Sequence, residues 1–349
     1  MIGVAEGEKM TTYRRKMLII LVTWCAIGPM TQSASAAYEG ALTLTIENDT
    51  WTGSDNNYTN GIGISWASAD LDTYDIQSFV RKWTRFWGFL PFVEESGYKT
   101  YAAWSIAQEM HTPDDITDPH PPKDDQPYAG LLYVDSLLYA KKGRWAHAWE
   151  LKLGIVGPSS QADETQKWFH NVIGEDKPRG WDTQMPDEPI INLGYTVGYL
   201  AAAGPAAGAA EWRIVPVGTV GLGTYFTGAG LGIYGEVGWN LVDALGVTSL
   251  RTGLNAASTV GVGPIDGWSA AFFGGLGGYG VVHYLPLDGT VFRDSRSVDS
   301  EPFVGMASFG FSVRHDRLVL ALAANYFTET FAAERESPEF GTLSLSWYF

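Results

Sequence analysis

From residue 40 onward the chain alternates. Leu42, Leu44 and Ile46 are separated by Thr43, Thr45 and Glu47, and at the other end Leu343, Leu345, Trp347 and Phe349 by Ser344, Ser346 and Tyr348. Trp149, Leu151, Leu153 and Ile155 stand against Ala148, Glu150 and Lys152; Leu231, Ile233, Val237 and Trp239 against Gly232, Tyr234, Glu236 and Gly238. Successive side chains of a strand point to opposite faces, so a period of two predicts strands with one apolar face and one of hydroxyls, glycines and charges. Twelve can be marked: 41–49, 58–67, 100–110, 128–140, 145–156, 190–202, 211–222, 229–240, 267–282, 302–314, 317–328 and 340–349. The stretch 241–266 has room for a further pairing.

Two architectures use such strands. In a sandwich the apolar face is the core; in an outer-membrane barrel it meets lipid and the polar face turns inward. Strands of about ten residues, long enough to cross a membrane at a tilt, favour the barrel. So do the inward charges Glu47, Glu150, Lys152 and Glu236, which suit a wet lumen, and a last strand that ends in an aromatic. The expectation is an all-β, antiparallel transmembrane barrel of about twelve strands, with both termini on the periplasmic side. Connections 50–57, 111–127, 157–189, 223–228, 283–301 and 329–339 then lie outside the cell.

Two segments read as helices instead. Over 159–174, Ser160 is the expected N-cap, Asp163 and Glu164 fill the first turn and Gly174 is the stop, which puts a short helix in an outer loop. Over 74–90, Ile76, Phe79, Val80, Trp83, Phe86 and Leu90 share a side, with Arg81, Lys82 and Arg85 elsewhere. That pattern fits a helix lying at the membrane interface on the periplasmic side, and equally one plugging the barrel mouth.

The N-terminus differs from everything after it. Arg14, Arg15 and Lys16 precede an apolar run from Met17 to Ile27, followed by Ser33-Ala34-Ser35-Ala36-Ala37. This is the layout of a secretory signal peptide, so residues 1–36 are expected to be removed and 37–349 to form the barrel. Cleavage takes away Cys25, the only cysteine, and leaves a mature domain without disulfides. The chain carries 23 Lys+Arg against 39 Asp+Glu, a net charge of −16, which argues against nucleic acid as a partner.

Candidate chemistry collects at the outer rim. The first hairpin ends in Glu47-Asn48-Asp49 and resumes at Asn57-Tyr58-Thr59-Asn60-Gly61. Parity with Thr43, Thr45 and Glu47 turns Asp49 inward, and parity against Ile62, Ile64 and Trp66 turns Thr59 inward. A carboxylate, an amide and a hydroxyl thus meet at one rim, where oxygen ligands can hold Ca²⁺. The same residue types are also ordinary turn formers. His170, with Gln166 one turn earlier on the same helix face, is a candidate general base or a packing histidine. His111 and His120, near Asp114, Asp115, Asp118, Asp124 and Asp125, form either a metal cluster or an acidic outer loop. No G-x-S-x-G, H-E-x-x-H or phosphate loop occurs, so catalysis here would more naturally use a metal and an activated water.

In order along the chain stand Ile46-Glu47-Asn48-Asp49, Tyr58-Thr59-Asn60-Gly61, Ile106-Ala107-Gln108-Glu109, Gln126-Pro127-Tyr128-Ala129-Gly130 and Gly154-Ile155-Val156-Gly157-Pro158. His170-Asn171-Val172-Ile173-Gly174 and then Trp181 follow. In these motifs the chain resembles the outer-membrane lipid A 3'-O-deacylase family. The resemblance implies a calcium-dependent carboxylic ester hydrolase that removes the 3'-linked acyloxyacyl chain from lipid A of lipopolysaccharide. It further implies that Asn48, Asp49 and Thr59 belong to the calcium and catalytic cluster, and that His170 activates water. The family has a catalytic-site lysine in the loop corresponding to 111–127, where this chain is acidic and has only Lys123. The expected partners are lipopolysaccharide and outer-membrane lipid, and the expected state is a monomer. The competing readings are a non-enzymatic channel or structural barrel and an outer-membrane phospholipase.

Overall fold

The structure is a computed structural model that describes residues 40–49, 58–68, 78–93, 95, 97–174, 176–241 and 267–349. The predicted signal peptide, the connection 50–57 and residues 242–266 lie outside the described residues.

The alternating segments form β1 (Gly40–Asn48), β2 (Tyr58–Ser68), β3 (Lys99–His111), β4 (Ala129–Lys142), β5 (Trp145–Val156), β6 (Glu188–Tyr199), β7 (Ala202–Pro205), β8 (Ala210–Gly223), β9 (Phe226–Trp239), β10 (Trp268–Tyr284), β11 (Phe303–His315), β12 (Leu318–Phe327) and β13 (Glu339–Tyr348). All pair antiparallel with their neighbours, β13 pairs with β1, and β6 pairs with β8 to close the ring. β7 continues along β8 where β6 leaves it, so β6 and β7 are two halves of one interrupted stave. The result is a closed barrel of twelve staves. Closure leaves no sheet edge, the condition for strands to cross hydrocarbon. Among the described residues no helix is long and apolar enough to do so.

Register decides between barrel and sandwich. Leu345, Leu44, Ile64, Ile106, Val134, Leu153 and Ile191 are neighbours in one row across seven strands. Each is between 39% and 55% exposed. A continuous exposed apolar row has no core to meet and is the lipid face. Trp145, Trp239, Trp268 and Trp347 stand exposed toward the end that carries the termini, as an aromatic girdle does.

The interior departs from the wet lumen expected. Tyr58, Tyr133, Tyr225, Phe226, Tyr279, Phe327 and Phe340, drawn from all round the ring, pack into one buried cluster across its outer half. The inward charges have protein partners: Glu47 accepts from the Tyr58 hydroxyl at 2.6 Å, Lys152 pairs with Asp135 at 3.0 Å, and Arg213 pairs with Glu236. Lys152 Nζ also lies 3.3 Å from the centre of the Tyr133 ring. Burial of this depth demands such pairing, since a charge removed from water without it costs several kcal/mol.

Helix α1 (Ser78–Phe86) answers the question of plug or interface. Val80, Trp83 and Trp87 pack with Trp66, Ala102, Trp104, Leu138 and Trp149, outward-facing positions of β2 to β5. Trp83 Nε1 donates to Ser136 Oγ at 2.7 Å. The helix therefore lies against the outside of the wall.

Candidate functional site

The outer rim of β3 and β4 carries helix α2 (Ala162–Ile173). A turn of 3₁₀ helix, Pro158–Ser160, leads into it, and the predicted N-cap is displaced by one residue. Gln161, in the left-handed region at φ 61°, is the cap, while the Ser160 hydroxyl turns back to donate to the Gly157 carbonyl at 2.6 Å. The stop is where the sequence puts it: Gly174 has φ 82° and its amide donates to the His170 carbonyl at 2.8 Å.

Three contacts seat this helix on the outside of the wall. The Gln108 side chain donates to the Ser160 carbonyl at 2.7 Å, and the Gly157 amide donates to the Gly130 carbonyl at 2.9 Å. Gly130 is a close approach: a Cβ there would fall 2.3 Å from Ala162 Cβ and 2.5 Å from Ser160 Oγ. Met110, Tyr128, Ala162 and Trp181 fill the space between helix, wall and the loop beyond.

Ala162, Gln166 and His170 are spaced by four and all buried, whereas Trp168 and Val172 are exposed. The helix thus turns two polar residues inward and an aromatic outward, the reverse of what packing alone selects. Gln166 Oε1 accepts from Trp181 Nε1 at 2.7 Å. His170 Nδ1 lies 2.6 Å from the Asp176 carbonyl. A carbonyl only accepts, so Nδ1 carries the hydrogen and Nε2 keeps the lone pair.

The hairpin residues stand at the other side of the same rim. Asn48 ends β1 and Asp49 follows it, at 8% and 1% exposure. Burial of Asp49 agrees with the inward parity. β2 and β3 slip register between Tyr58 and Asn60 and leave Thr59 as the extra residue of a bulge, so no strand pair carries the parity of Ile62 through to it. Beyond that slip it is Tyr58 that turns inward, its hydroxyl folded over Gly61, where a Cβ would lie 2.2 Å away. The Thr59 side chain is outside the described residues. Register links the two sides of the rim: Asn48, Asn60, Met110 and Gly130 form one row, and Gly130 is the seat of α2.

The second candidate cluster does not assemble. His111 belongs to β3 and is buried with its Nε2 3.6 Å from Glu109, whose carboxylate also accepts from the Tyr133 and Tyr225 hydroxyls. This buried set was missed from sequence, although the inward parity of Glu109 was a signal for it. The aspartates stay in the loop above. Asp114 faces Arg335 at 3.8 Å, Asp115 accepts from Thr117, and Asp118 from the His120 amide. Burial pushes the Asp114 and Asp125 carboxyls up, Asp125 further through the charge of Asp114, while Thr117 holds Asp115 below the usual range. Lys123 is exposed. Among the described residues no three His, Cys, Asp or Glu side chains are grouped to hold a metal. The oxygens of Asp49 and Asn48 are hard donors of the kind calcium takes, with a single charge between them.

Compared with protein families, residues 17–349 match the one described as Outer membrane protein LpxR. The chain belongs to the LpxR family. Among solved structures it is similar to LpxR from Salmonella typhimurium, with a TM-score of 0.71 at 16% identity over 88% of this chain and 100% of that one. The β domain of the Bordetella autotransporter BrkA follows at a TM-score of 0.42 and 9% identity, covering 90% of this chain and 100% of that one. A comparison with curated proteins gives no match. Membership in the LpxR family makes this an outer-membrane protein and implies an enzyme that acts on lipid A.

Proposed function

We propose that the protein hydrolyses the ester joining the 3'-linked acyloxyacyl chain to lipid A, with His170 as general base and calcium held by Asp49 and Thr59. The observation that carries this reading is the buried stripe of α2, where His170 is held in one tautomer with Nε2 as the acceptor. In that state the ring takes a proton from water as the water attacks the ester carbonyl. The Asp176 carbonyl holds the resulting imidazolium by the same hydrogen bond. The ester C–O bond then breaks, and the ring returns the proton to the departing sugar oxygen. Asn48 orients the reacting ester from the facing side of the rim.

Calcium, when bound, supplies a Lewis acid for the carbonyl oxygen and the oxyanion that develops on it. Geometry supports one rim serving both sides. Three strand spacings from Gly130 to Asn48 amount to about 14 Å, and the eight residues from Ala162 to His170 rise about 12 Å. The two lengths are comparable, so a helix seated at Gly130 and directed toward β1 would leave His170 within a side chain's reach of the Asn48 end of the row. The packed lumen weighs against a channel, since aromatic side chains cross its outer half.

Metal removal tests the calcium part. In detergent, EGTA should abolish release of the acyl chain from lipid A, and Ca²⁺ should restore it with half-saturation on the order of 10⁻⁴–10⁻³ M, as befits few charged ligands. Asp49→Ala should be inactive at every calcium concentration while keeping heat-modifiable migration on a gel. Full activity in EGTA, or in Asp49→Ala, would remove calcium from the mechanism.

A further inference from the structure

We propose that α1 and the turn after it form a binding site for anionic phospholipid headgroups in the periplasmic leaflet. The site rests on the fold, not on the reaction proposed for the opposite rim. α1 covers the outer wall of β2 to β5 toward the end that carries the termini, beyond the exposed row of Ile64, Ile106, Val134 and Leu153. That is the level at which hydrocarbon gives way to headgroups. Two hydrogen bonds fix it there: Trp83 Nε1 to Ser136 Oγ at 2.7 Å, and Trp149 Nε1 to the Pro91 carbonyl at 3.1 Å.

The side turned away from the wall combines apolar and basic groups. Phe86 and Phe89 are 64% and 72% exposed; among the described residues their ring contacts are with Trp87 and, for Phe86, also with Trp83. Arg81, Lys82 and Arg85 are exposed beside them, and the helix has no acidic residue. Lys99 and Lys142, exposed at the adjoining ends of β3 and β4, carry the same sign. Glu95, in the turn, is directed back to the Phe92 amide at 3.1 Å. In a chain of net charge −16, α1 itself carries three basic residues and no acidic one. Charge complementarity and continuity with the lipid-facing wall select the occupant: phosphate above, acyl chains beside Phe86 and Phe89.

The test uses the full chain in detergent, offered equimolar phosphatidylglycerol and phosphatidylethanolamine, with retained lipid counted by native mass spectrometry. The wild type should retain phosphatidylglycerol preferentially. A basic residue near an anionic surface contributes a factor of about five. Combining Arg81→Gln, Lys82→Gln and Arg85→Gln should therefore cut the preference at least about tenfold. Near-ultraviolet circular dichroism should show the tryptophans still packed, and lipid A deacylation should be unchanged. Equal retention of the two lipids by the wild type, or an undiminished preference in the triple variant, would overturn the proposal.

Discussion

At His170 one hydrogen bond sets the tautomer, because donation from Nδ1 to the Asp176 carbonyl leaves Nε2 as the acceptor of the neutral ring. The neighbouring Gln166 has a mechanical part. Its carbonyl is the acceptor for the buried Trp181 indole, and an indole N–H left without an acceptor costs about 1–3 kcal/mol. Gln166→Leu should therefore loosen α2 from residues 176–187, seen as faster proteolytic nicking there and lower deacylation, whereas Gln166→Glu, which keeps an acceptor, should retain both. Tyr58 is a purely structural counterpart inside the barrel. Tyr58→Phe takes a hydroxyl from the buried Glu47 carboxylate, and should lower the temperature of barrel unfolding on a gel without touching the helix site. Residue by residue, the sequence was legible where alternation ran unbroken. Asp49 follows the parity of β1 and is buried; at Thr59 a bulge adds one residue to β2, which no signal in a period of two reveals.

Helix α2 works as an element because Gly130 lets it lie against the wall. Gly130→Leu puts a side chain where Ala162 and Ser160 now stand, and must lift the helix or fail to fold. The expected outcome is a barrel with normal heat-modifiability and deacylation reduced at least tenfold; wild-type activity would mean the seat of α2 is immaterial. The loop 112–128 carries a pH dependence of its own. Raised Asp114 and Asp125 carboxyls mean that the folded loop binds protons more tightly than the unfolded chain. Loop stability is then fullest below the ordinary carboxyl range and is lost as pH rises through the raised values. Asp125→Asn should slow proteolysis of the loop at pH 7, and by less as pH falls into the ordinary carboxyl range and the native side chain takes up its proton. For α1, amphipathicity announced a helix but not its side, since an apolar stripe suits a lumen and an outer wall alike. Contacts with Trp66, Trp104 and Trp149, outward on three staves, settle the matter, and none of them belongs to the helical segment itself.

As a whole the molecule joins a lipid-facing wall, a packed interior and an outer rim that carries a helix over β3 and β4 and the end of the first hairpin on β1 and β2. The twelve staves were readable because strands that must face lipid repeat their pattern at every crossing. The state of the lumen was not, since parity tells which way Glu47 and Lys152 point and nothing of the tyrosines they meet. A lumen crossed by aromatic side chains predicts no stable conductance steps in planar bilayers; steady channel currents would contradict the interior packing. Deacylation through His170 is read directly from lipid A. Mass spectrometry of lipid A from cells expressing the wild type should show loss of the 3'-acyloxyacyl chain, and lipid A from cells expressing an equal amount of folded His170→Ala should be intact. Identical 3'-deacylated lipid A from both would remove His170 from the reaction, and intact lipid A from both would contradict the deacylase account.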